Sequence, residues 1–445
     1  MTPPTLRTVT LGCKVNQYET AWLREGFLRL GYRDARDGEA ADLCVVNTCT
    51  VTAEGDLKSR KLVRRLARRN PAAEIVVMGC YATRAPDEVA ALPGVAEVVT
   101  DKRQLPDLLA RRGLVDVPRA ISSFGGRHRA YVKVQDGCRM GCSYCIIPQV
   151  RPVLSSRPGA EIVEEVRGLV AGGHREIVLT GIHLGHYGRR SASVPSARAS
   201  RGESPEGGEP SAPARTRLAG LVALLAALPG QFRIRLSSLE ATEVDDALLD
   251  LVASRPQRIC QHLHLSMQSG SDRVLRLMRR RQSSEEFIAR CRHIAHRLDR
   301  PAITTDVIVG FPGEREEDFA ATCRAVEAVG FAKVHVFPFS PRQGTPAAEM
   351  PDQIAAPVRQ QRAAVLAALA ERQRAAFLAG LVGRRLQVLL ESPAGTSGEA
   401  AEGTSSRYAP VTVPAAAAQC GELVETTAVR YEAGQLRGAP WGSER

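Results

Sequence analysis

At the start of the chain, short runs rich in branched apolar side chains alternate with longer runs in which apolar positions recur every three or four residues. The β-rich runs fall at 7–11, 43–46, 74–78 and 97–99, and the helical runs at 18–30, 54–69 and 104–111. Strands alternating with helices of this length predict a parallel sheet with crossover helices. Residues 115–129 carry Pro118, two serines, two glycines and several basic side chains, and read as a linker.

A second alternating series follows, with strands expected at 131–135, 176–180, 232–237, 262–268, 303–310 and 333–339, and helices between them, for example at 159–171 and 218–228. Six strand–helix units predict a barrel or partial barrel. Along three of these strands a polar set alternates with an apolar one. Tyr131, Lys133 and Gln135 alternate with Val132 and Val134; Arg233, Arg235 and Ser237 with Phe232, Ile234 and Leu236; His262, His264, Ser266 and Gln268 with Leu263, Leu265 and Met267. A period of two puts each polar set on one face. Helices sheathing a barrel cover its apolar face, so the polar face lines the lumen. Ordinary closed barrels fill that space with branched apolar side chains. The pattern therefore predicts a wet or ligand-filled cavity. An antiparallel sheet with one solvated face is the alternative, and the long crossovers count against it.

Residues 189–217 consist of Ser, Pro, Gly, Ala, Glu, Thr and Arg with a single Val, and are expected to be a disordered surface insertion. Residues 355–381 predict a long helix. After Gly383, β-like runs at 385–391, 408–413 and 421–431 predict a small all-β module. The expected fold class is a multidomain α/β chain. It has an N-terminal parallel α/β domain over 4–114, a central partial (β/α)6 barrel over 124–355 and a C-terminal small β-barrel over 380–444.

Composition narrows this picture. At roughly 100–200 residues per domain, 445 residues suit two to four domains. A hydrophobic fraction of 44% supports sizeable cores, built mostly from Ala, Val and Leu because aromatics are only 4%. The 60 Lys+Arg against 48 Asp+Glu leave a net charge of +12, which points to an anionic partner. No apolar run reaches the ~18 residues of a membrane span, and MTPPTLRTVT lacks the apolar centre of a signal peptide. The expectation is a cytoplasmic protein with no membrane partner. In a reducing compartment the 11 cysteines read as metal ligands, reactive thiols or small buried hydrophobes rather than disulfides.

Cys138, Cys142 and Cys145 form CxxxCxxC in QDGCRMGCSYCIIP, on a loop after the first strand of the second series. Three thiolates so close can converge on one soft metal centre. A structural zinc site takes four protein ligands, and no fourth Cys or His lies nearby. Three ligands on a tight loop suit a cubane cluster with one open iron. Cys13, Cys49 and Cys80 follow the first, second and third strands of the N-terminal domain, 36 and 31 residues apart. Adjacent parallel strands end side by side, where ligands bind, so these thiols can also converge with a position left open. Cys44 sits inside a strand and reads as a buried hydrophobe. Cys260, Cys291, Cys323 and Cys420 show no such placement.

The CxxxCxxC loop, with Tyr144 before its last cysteine, resembles that of radical S-adenosylmethionine enzymes over residues 131–339. With the N-terminal cysteines, nearly the whole chain resembles the radical S-adenosylmethionine methylthiotransferases. Their parts are a three-cysteine domain, a radical core and a C-terminal TRAM domain, a small RNA-binding β-barrel. LGCKVNQYET and VVNTCTVTAEGDLKSR are most similar to the branch acting on N6-threonylcarbamoyladenosine at position 37 of tRNA. The resemblance implies two [4Fe-4S] clusters, one on each cysteine triplet. Two roles for S-adenosyl-L-methionine follow, as methyl donor and as radical source. The reaction it implies replaces the adenine C2 hydrogen by a methylthio group, which a general base cannot do because that C–H is not acidic enough. tRNA, an electron donor and a sulfur source are the implied partners. The resemblance places Tyr144, Gly181, Gln268 and Gly310 at the S-adenosylmethionine site, with Gly310 and Gly313 similar to the family's adenine-side turn.

His183, His262 and His264 read as hydrogen-bonded lumen or core residues rather than iron ligands. The chain departs from the family after the cluster loop. VRPVLSSRP has Pro152 and Ser155 where Gly and Arg are commoner, while Arg151, Ser156 and Arg157 remain. A run of seven Lys+Arg in the twelve residues 58–69 suits phosphate attraction or a solvated helix face. The alternatives are the branch acting on isopentenyladenosine-37, another two-cluster radical enzyme, and a non-enzymatic iron–sulfur RNA-binding regulator.

Overall fold

The computed structural model describes residues 2–126, 128–189, 217–394, 400–414 and 420–440. Residues 190–216 of the expected insertion, and the end of the expected C-terminal module, lie outside the described residues.

The first five strands are β1 (Thr5–Thr10), β2 (Arg33–Asp34), β3 (Leu43–Thr48), β4 (Glu74–Gly79) and β5 (Val95–Val98). They form one parallel sheet in the order β2-β1-β3-β4-β5. β3 and β4 are buried on both faces, which is why they read as continuous apolar runs. Alternate side chains feed two separate cores. Cys44, Val46, Ile75 and Val77 pack with one set of helical residues, and Leu43, Val45, Val76 and Met78 with another. The helix α1 (Lys14–Arg29) begins four residues earlier than its apolar periodicity indicates, with Cys13 as its N-cap. The helix α2 (Ala53–Arg69) is capped by the Thr52 hydroxyl, which accepts from Gly55 N. A short helix, α3 (Cys80–Arg84), follows β4 directly.

The expected linker is packed rather than free. Ile121 and Phe124 are buried in the central core, Trp22 Nε1 donates to Pro118 O at 2.8 Å, and Glu165 accepts from Ile121 N at 2.8 Å.

The central strands are β6 (Arg129–Asp136), β7 (Ser155–Ser156), β8 (Glu176–Gly181), β9 (Arg233–Leu236), β10 (Ser238–Leu239), β11 (His262–Leu265), β12 (Ala302–Val309) and β13 (Lys333–Pro338). Two four-stranded sheets, β7-β6-β8-β9 and β10-β11-β12-β13, meet through a parallel bridge between Ile234 and Ile259. Apart from β7, which runs antiparallel to β6, the recorded pairings are parallel and give a curved partial barrel with β6 and β13 at its two sides. Val132, Val134, Ile234, Leu236, Leu263 and Leu265 lie in the large core shared with the helices. The polar sets face inward, as the alternation predicts.

One end of the lumen is not an open cavity. Glu176, fully buried, accepts from Arg233 and Arg235 and pairs with Arg129. Burial alone would raise the Glu176 pKa, but Arg235, Arg233 and Arg129 outweigh it and hold the carboxyl well below the usual range. Arg233 donates onward to the carbonyls of Gln387 and Thr404, and Arg235 to those of Ser405 and Ser406. The C-terminal module therefore plugs this end, with the Tyr408 ring stacked on His262 at 4.5 Å.

That module follows the long helix Ala356–Ala379 and is a closed barrel of β14 (Arg385–Ala394), β15 (Ala400–Ser405), β16 (Pro410–Pro414), β17 (Leu423–Glu432) and β18 (Gln435–Pro440), in the order β14-β15-β16-β18-β17. β15 and β18 have no β-branched apolar run, and the sequence pattern does not reveal them. Gly403 lets β15 press on its neighbour: a Cβ there would lie 2.0 Å from the Leu389 carbonyl oxygen.

Candidate active site

The three N-terminal cysteines stand at one edge of the sheet because β1, β3 and β4 end in register. Thr10 pairs with Asn47, and Thr48 with Gly79. Cys13 is the N-cap residue of α1, Cys49 follows β3 and Cys80 starts α3. Gly79 makes the sharp entry to Cys80 with φ 99°; a Cβ there would lie 2.4 Å from both Asn47 Oδ1 and the Thr48 carbonyl oxygen. A Cβ on Gly12 would lie 3.1 Å from Cys49 Cβ and 3.3 Å from its Sγ, so the Cys13 and Cys49 loops touch.

Asn16 ties them together. Its Nδ2 donates to the carbonyls of Leu11 at 3.1 Å and Thr48 at 3.0 Å, and its Oδ1 accepts from Arg151 at 2.9 Å. Burial pushes the Cys49 thiol up to about 11, and Cys80 and Cys13 act on it electrostatically in the same direction. Cys13 is also raised by burial, with Arg151 opposing; its sulfur stays accessible inside an enclosed space.

The second triplet lies on the loop after β6. Gly137 is indispensable to that turn, since a Cβ there would sit 2.1 Å from the Val153 carbonyl oxygen. Ser143 pins the loop: its N donates to Met278 O at 3.1 Å, its hydroxyl to Leu277 O at 2.7 Å, and its carbonyl accepts from Ala347 N. Cys145 is pushed up to about 12, first by burial, with the neighbouring Cys142 and Cys138 adding to the rise. Cys138 Sγ lies 3.6 Å from His183 Nδ1, whose Nε2 lies 2.7 Å from Glu243 Oε1. Arg280 Nη1 approaches Cys142 Sγ at 3.9 Å and is itself paired to Glu240.

Both triplets fit an iron–sulfur cluster by their donor chemistry. Each offers three thiols, and a buried guanidinium faces each, Arg151 the first and Arg280 the second. Cations so placed favour thiolates and an anionic cluster. Neither set is among the described groups whose ligand atoms all lie within 4.8 Å, so their sulfurs stand farther apart than ligands of one ion.

A cavity of about 220 Å³ opens between Cys145 and the loop that follows Cys49. Val51 and Thr52, just past Cys49, form one wall; Tyr144 and Cys145 form another; Gln268, Asp306 and Phe337 come from the barrel strands. Gln268 holds φ 68°, fixed by Gln268 N donating to Asp306 O and Ile308 N donating to Gln268 O. Gly181 is elsewhere: its Cα lies against Gln135, whose Oε1 accepts from His183 N at 2.8 Å. Gly310 packs against the helix Ala356–Ala379, where a Cβ would meet Arg359 Cγ at 2.3 Å, and its N donates to Glu314. Thus Tyr144 and Gln268 share the cavity with Cys145, while Gly181 and Gly310 shape neighbouring turns.

His183, His262 and His264 are all hydrogen-bonded, as expected of lumen residues. Arg151 and Arg157 from the departing segment point into protein. Arg151 binds Glu19, Asp136 and Asn16, and Arg157 binds Glu165 and Tyr18. Sequence reasoning misses Asn16, Glu19, Glu243 and Asp306. Only Asp306 left a signal, since it continues the alternation of Thr304 along β12.

A polar-lumened partial barrel with CxxxCxxC after its first strand defines a radical S-adenosylmethionine enzyme, here with a second three-cysteine domain set against the barrel mouth. Residues 132–326 match the Radical SAM superfamily, and residues 5–101 match the family described as Uncharacterized protein family UPF0004. The Threonylcarbamoyladenosine tRNA methylthiotransferase MtaB of Bacillus subtilis is 39% identical over 81% of this chain and 79% of its own. The protein of the same name from Chlamydia pneumoniae is 37% identical over 92% and 91%. A tRNA-2-methylthio-N(6)-dimethylallyladenosine synthase of Corynebacterium urealyticum is 34% identical over 94% and 79%. The radical S-adenosylmethionine methyltransferase TsrM from Kitasatospora setae, solved with cobalamin and a [4Fe-4S] cluster bound, shares the fold. Its TM-score is 0.53 over 78% of this chain and 77% of its own, at 14% identity. The chain belongs to the radical S-adenosylmethionine tRNA methylthiotransferases.

Proposed function

We infer that this chain methylthiolates C2 of N6-threonylcarbamoyladenosine at position 37 of tRNA. One observation carries the reading: a single cavity is walled by the loop after Cys49, by Cys145 and by the polar strands of the barrel. Cys138, Cys142 and Cys145 would hold a [4Fe-4S] cluster that, with S-adenosylmethionine, would supply a radical able to abstract the C2 hydrogen; Cys13, Cys49 and Cys80 would hold a second cluster that would supply the sulfur, the methyl group coming from another S-adenosylmethionine. The residues do the placing. Asn16 and Gly79 set the first triplet, and Ser143 and Gly137 the second. Tyr144 and Gln268 line the side of the cavity where S-adenosylmethionine would lie, with Gly181 and Gly310 turning the chain beside it. Each turnover consumes electrons and a sulfur atom, so an electron donor and a sulfur source must reach these sites.

The tRNA is held by cations and by shape. Lys58, Lys61, Arg64, Arg65, Arg68 and Arg69 are exposed on α2, whose Leu62, Val63 and Leu66 face the core. The C-terminal barrel, poor in aromatics, suits backbone contacts better than base stacking. We read residues 4–114 as the three-cysteine domain, 124–355 as the radical core and 380–444 as a TRAM-like domain, in a cytoplasmic enzyme. No helix of the described residues is long and apolar enough to cross a membrane.

The test is anaerobic reconstitution followed by incubation with tRNA, S-adenosylmethionine, reductant and a sulfide source. About eight irons per chain are expected for two cubane clusters, and about four contradict the reading. Nucleoside mass spectrometry should show threonylcarbamoyladenosine gaining a methylthio group. Gain on isopentenyladenosine instead would overturn the substrate assignment.

A further inference from the structure

Beside the cavity, and reaching it through Asp306, stands a set of polar side chains that the cluster chemistry does not use. His264, Asp306 and His335 come from adjacent strands β11, β12 and β13, and their ligand-type atoms all lie within 4.8 Å of one another. His264 Nδ1 lies 3.0 Å from Thr304 Oγ1, and its Nε2 lies 3.3 Å from Asp306 Oδ2. The His264 and His335 ring centroids are 5.9 Å apart. Asp306 also lines the cavity beside Cys145 and Gln268.

Lys14 is the first residue of α1, next to Cys13, and its charge acts on Asp306 and His335 of the barrel. Its side chain is exposed, and among the described residues its ammonium makes no hydrogen bond or ion pair. An accessible, unpaired ammonium is placed for an anionic ligand group.

We propose that Lys14, His264, Asp306 and His335 form the receptor for the threonylcarbamoyl arm, with Lys14 taking its carboxylate and Asp306 accepting from its N–H or hydroxyl groups. The inference rests on the substrate assignment above and deepens it. A threonylcarbamoyl group offers one anion, several N–H and O–H donors, and carbonyl acceptors, and the four side chains are complementary to these. An isopentenyl group offers none, and seating it would leave the Lys14 ammonium without an anionic partner, while His264 and Asp306 keep only their bonds within the barrel. A site built to hydrogen-bond its substrate rejects an analogue lacking those groups far more strongly than an apolar pocket does. The receptor thus accounts for selection between the two modified adenosines.

The experiment uses the reconstituted full chain with three anticodon stem-loops: one with threonylcarbamoyladenosine, one with the corresponding threoninamide, and one with isopentenyladenosine. Affinity is read by fluorescence anisotropy, and kcat and KM by nucleoside mass spectrometry. Wild type should favour the acid over the amide by about tenfold or more, mainly through KM. In Lys14→Gln this preference should fall to within about threefold, and Lys14→Arg should restore part of it. Iron is counted for each variant. If Lys14→Gln loses a cluster, His335→Asn carries the test with a drop in the same ratio expected. A wild-type preference retained in either iron-replete variant overturns the receptor. So does a divalent metal ion bound by wild type and lost in His335→Asn. A wild type that modifies only the isopentenyl stem-loop instead overturns the substrate assignment, which keeps the two failures distinct.

Discussion

Arg151 extends both guanidinium arms to Glu19, with Nη1 2.8 Å from Oε1 and Nη2 2.8 Å from Oε2. The pair joins the segment behind the radical triplet to the helix whose N-cap is Cys13. Arg151 also donates to Asp136, and Glu19 accepts from Lys133, so two cations and two carboxylates share one buried knot between the domains. The side chains of Arg151 and Glu19 are 1% and 4% exposed. Removing one partner from such a pair leaves an uncompensated buried charge, at about 3–5 kcal/mol. Arg151→Met should therefore lower the melting temperature strongly and loosen the N-terminal domain from the barrel. Adding Glu19→Gln should recover part of the loss. Calorimetry of the two single variants and the double variant checks this, and strictly additive losses would contradict it.

The same knot predicts acid sensitivity. Burial opposes ionisation of Glu19, but Arg151 and Lys133 prevail and bring its pKa from the ordinary 4.5 down to about 2. A carboxyl depressed on folding stabilises the native state fully above its unfolded pKa and loses that contribution as pH falls toward the folded value. Wild-type melting temperature should drop between about pH 5 and pH 2 more steeply than that of Glu19→Gln, which starts lower. Parallel curves would show that Glu19 is not the group responsible.

The two triplets should separate by mutation. Cys138→Ala removes a proposed ligand of the cluster that S-adenosylmethionine would meet, so cleavage of S-adenosylmethionine to 5′-deoxyadenosine should be lost. Cys49→Ala should leave that cleavage in place, stop methylthiolation and bring iron to about four per chain. Chromatography of 5′-deoxyadenosine beside nucleoside mass spectrometry reads both. Methylthiolated product from Cys49→Ala would sink the two-cluster reading.

The parts of this design visible in the sequence are those with a local signal. β3 and β4 read plainly because both faces are apolar, and the barrel strands because polar and apolar residues alternate with period two. The six cysteines proposed as cluster ligands could be found because each lies in a loop, turn or helix start that follows a strand. β15 and β18 lack such a signal; their small and polar residues are strands only because the barrel closes around them. The packing of Ile121 and Phe124 was hidden by the Gly, Ser and Pro around them. The lumen was legible as polar, but not its filling. That Arg233 and Arg235 would reach carbonyls of the C-terminal barrel depends on how separate units dock. Contacts spanning 170 residues leave no periodicity.

The exposed cations of α2 give a prediction about tRNA affinity. Arg60 is tied to the Tyr81 hydroxyl at 3.0 Å, but Lys61, Arg64, Arg65 and Arg68 stand exposed in one run of the helix. Lys+Arg contacts with phosphate release counterions, so the logarithm of affinity falls with that of salt by roughly 0.7–0.9 per contact. Replacing Lys61, Arg64 and Arg68 with Gln should weaken tRNA binding at low salt and make the salt dependence shallower by about 2. The loss should be similar for tRNAs with and without the modified adenosine, because these side chains sense charge and not the base. Leu62, Val63 and Leu66 keep the helix packed in each variant, so melting temperature should stay within a few degrees of wild type. Anisotropy titrations across a salt series decide the point. An unchanged slope would mean that α2 presents a solvated face and that the phosphates are met elsewhere on the chain.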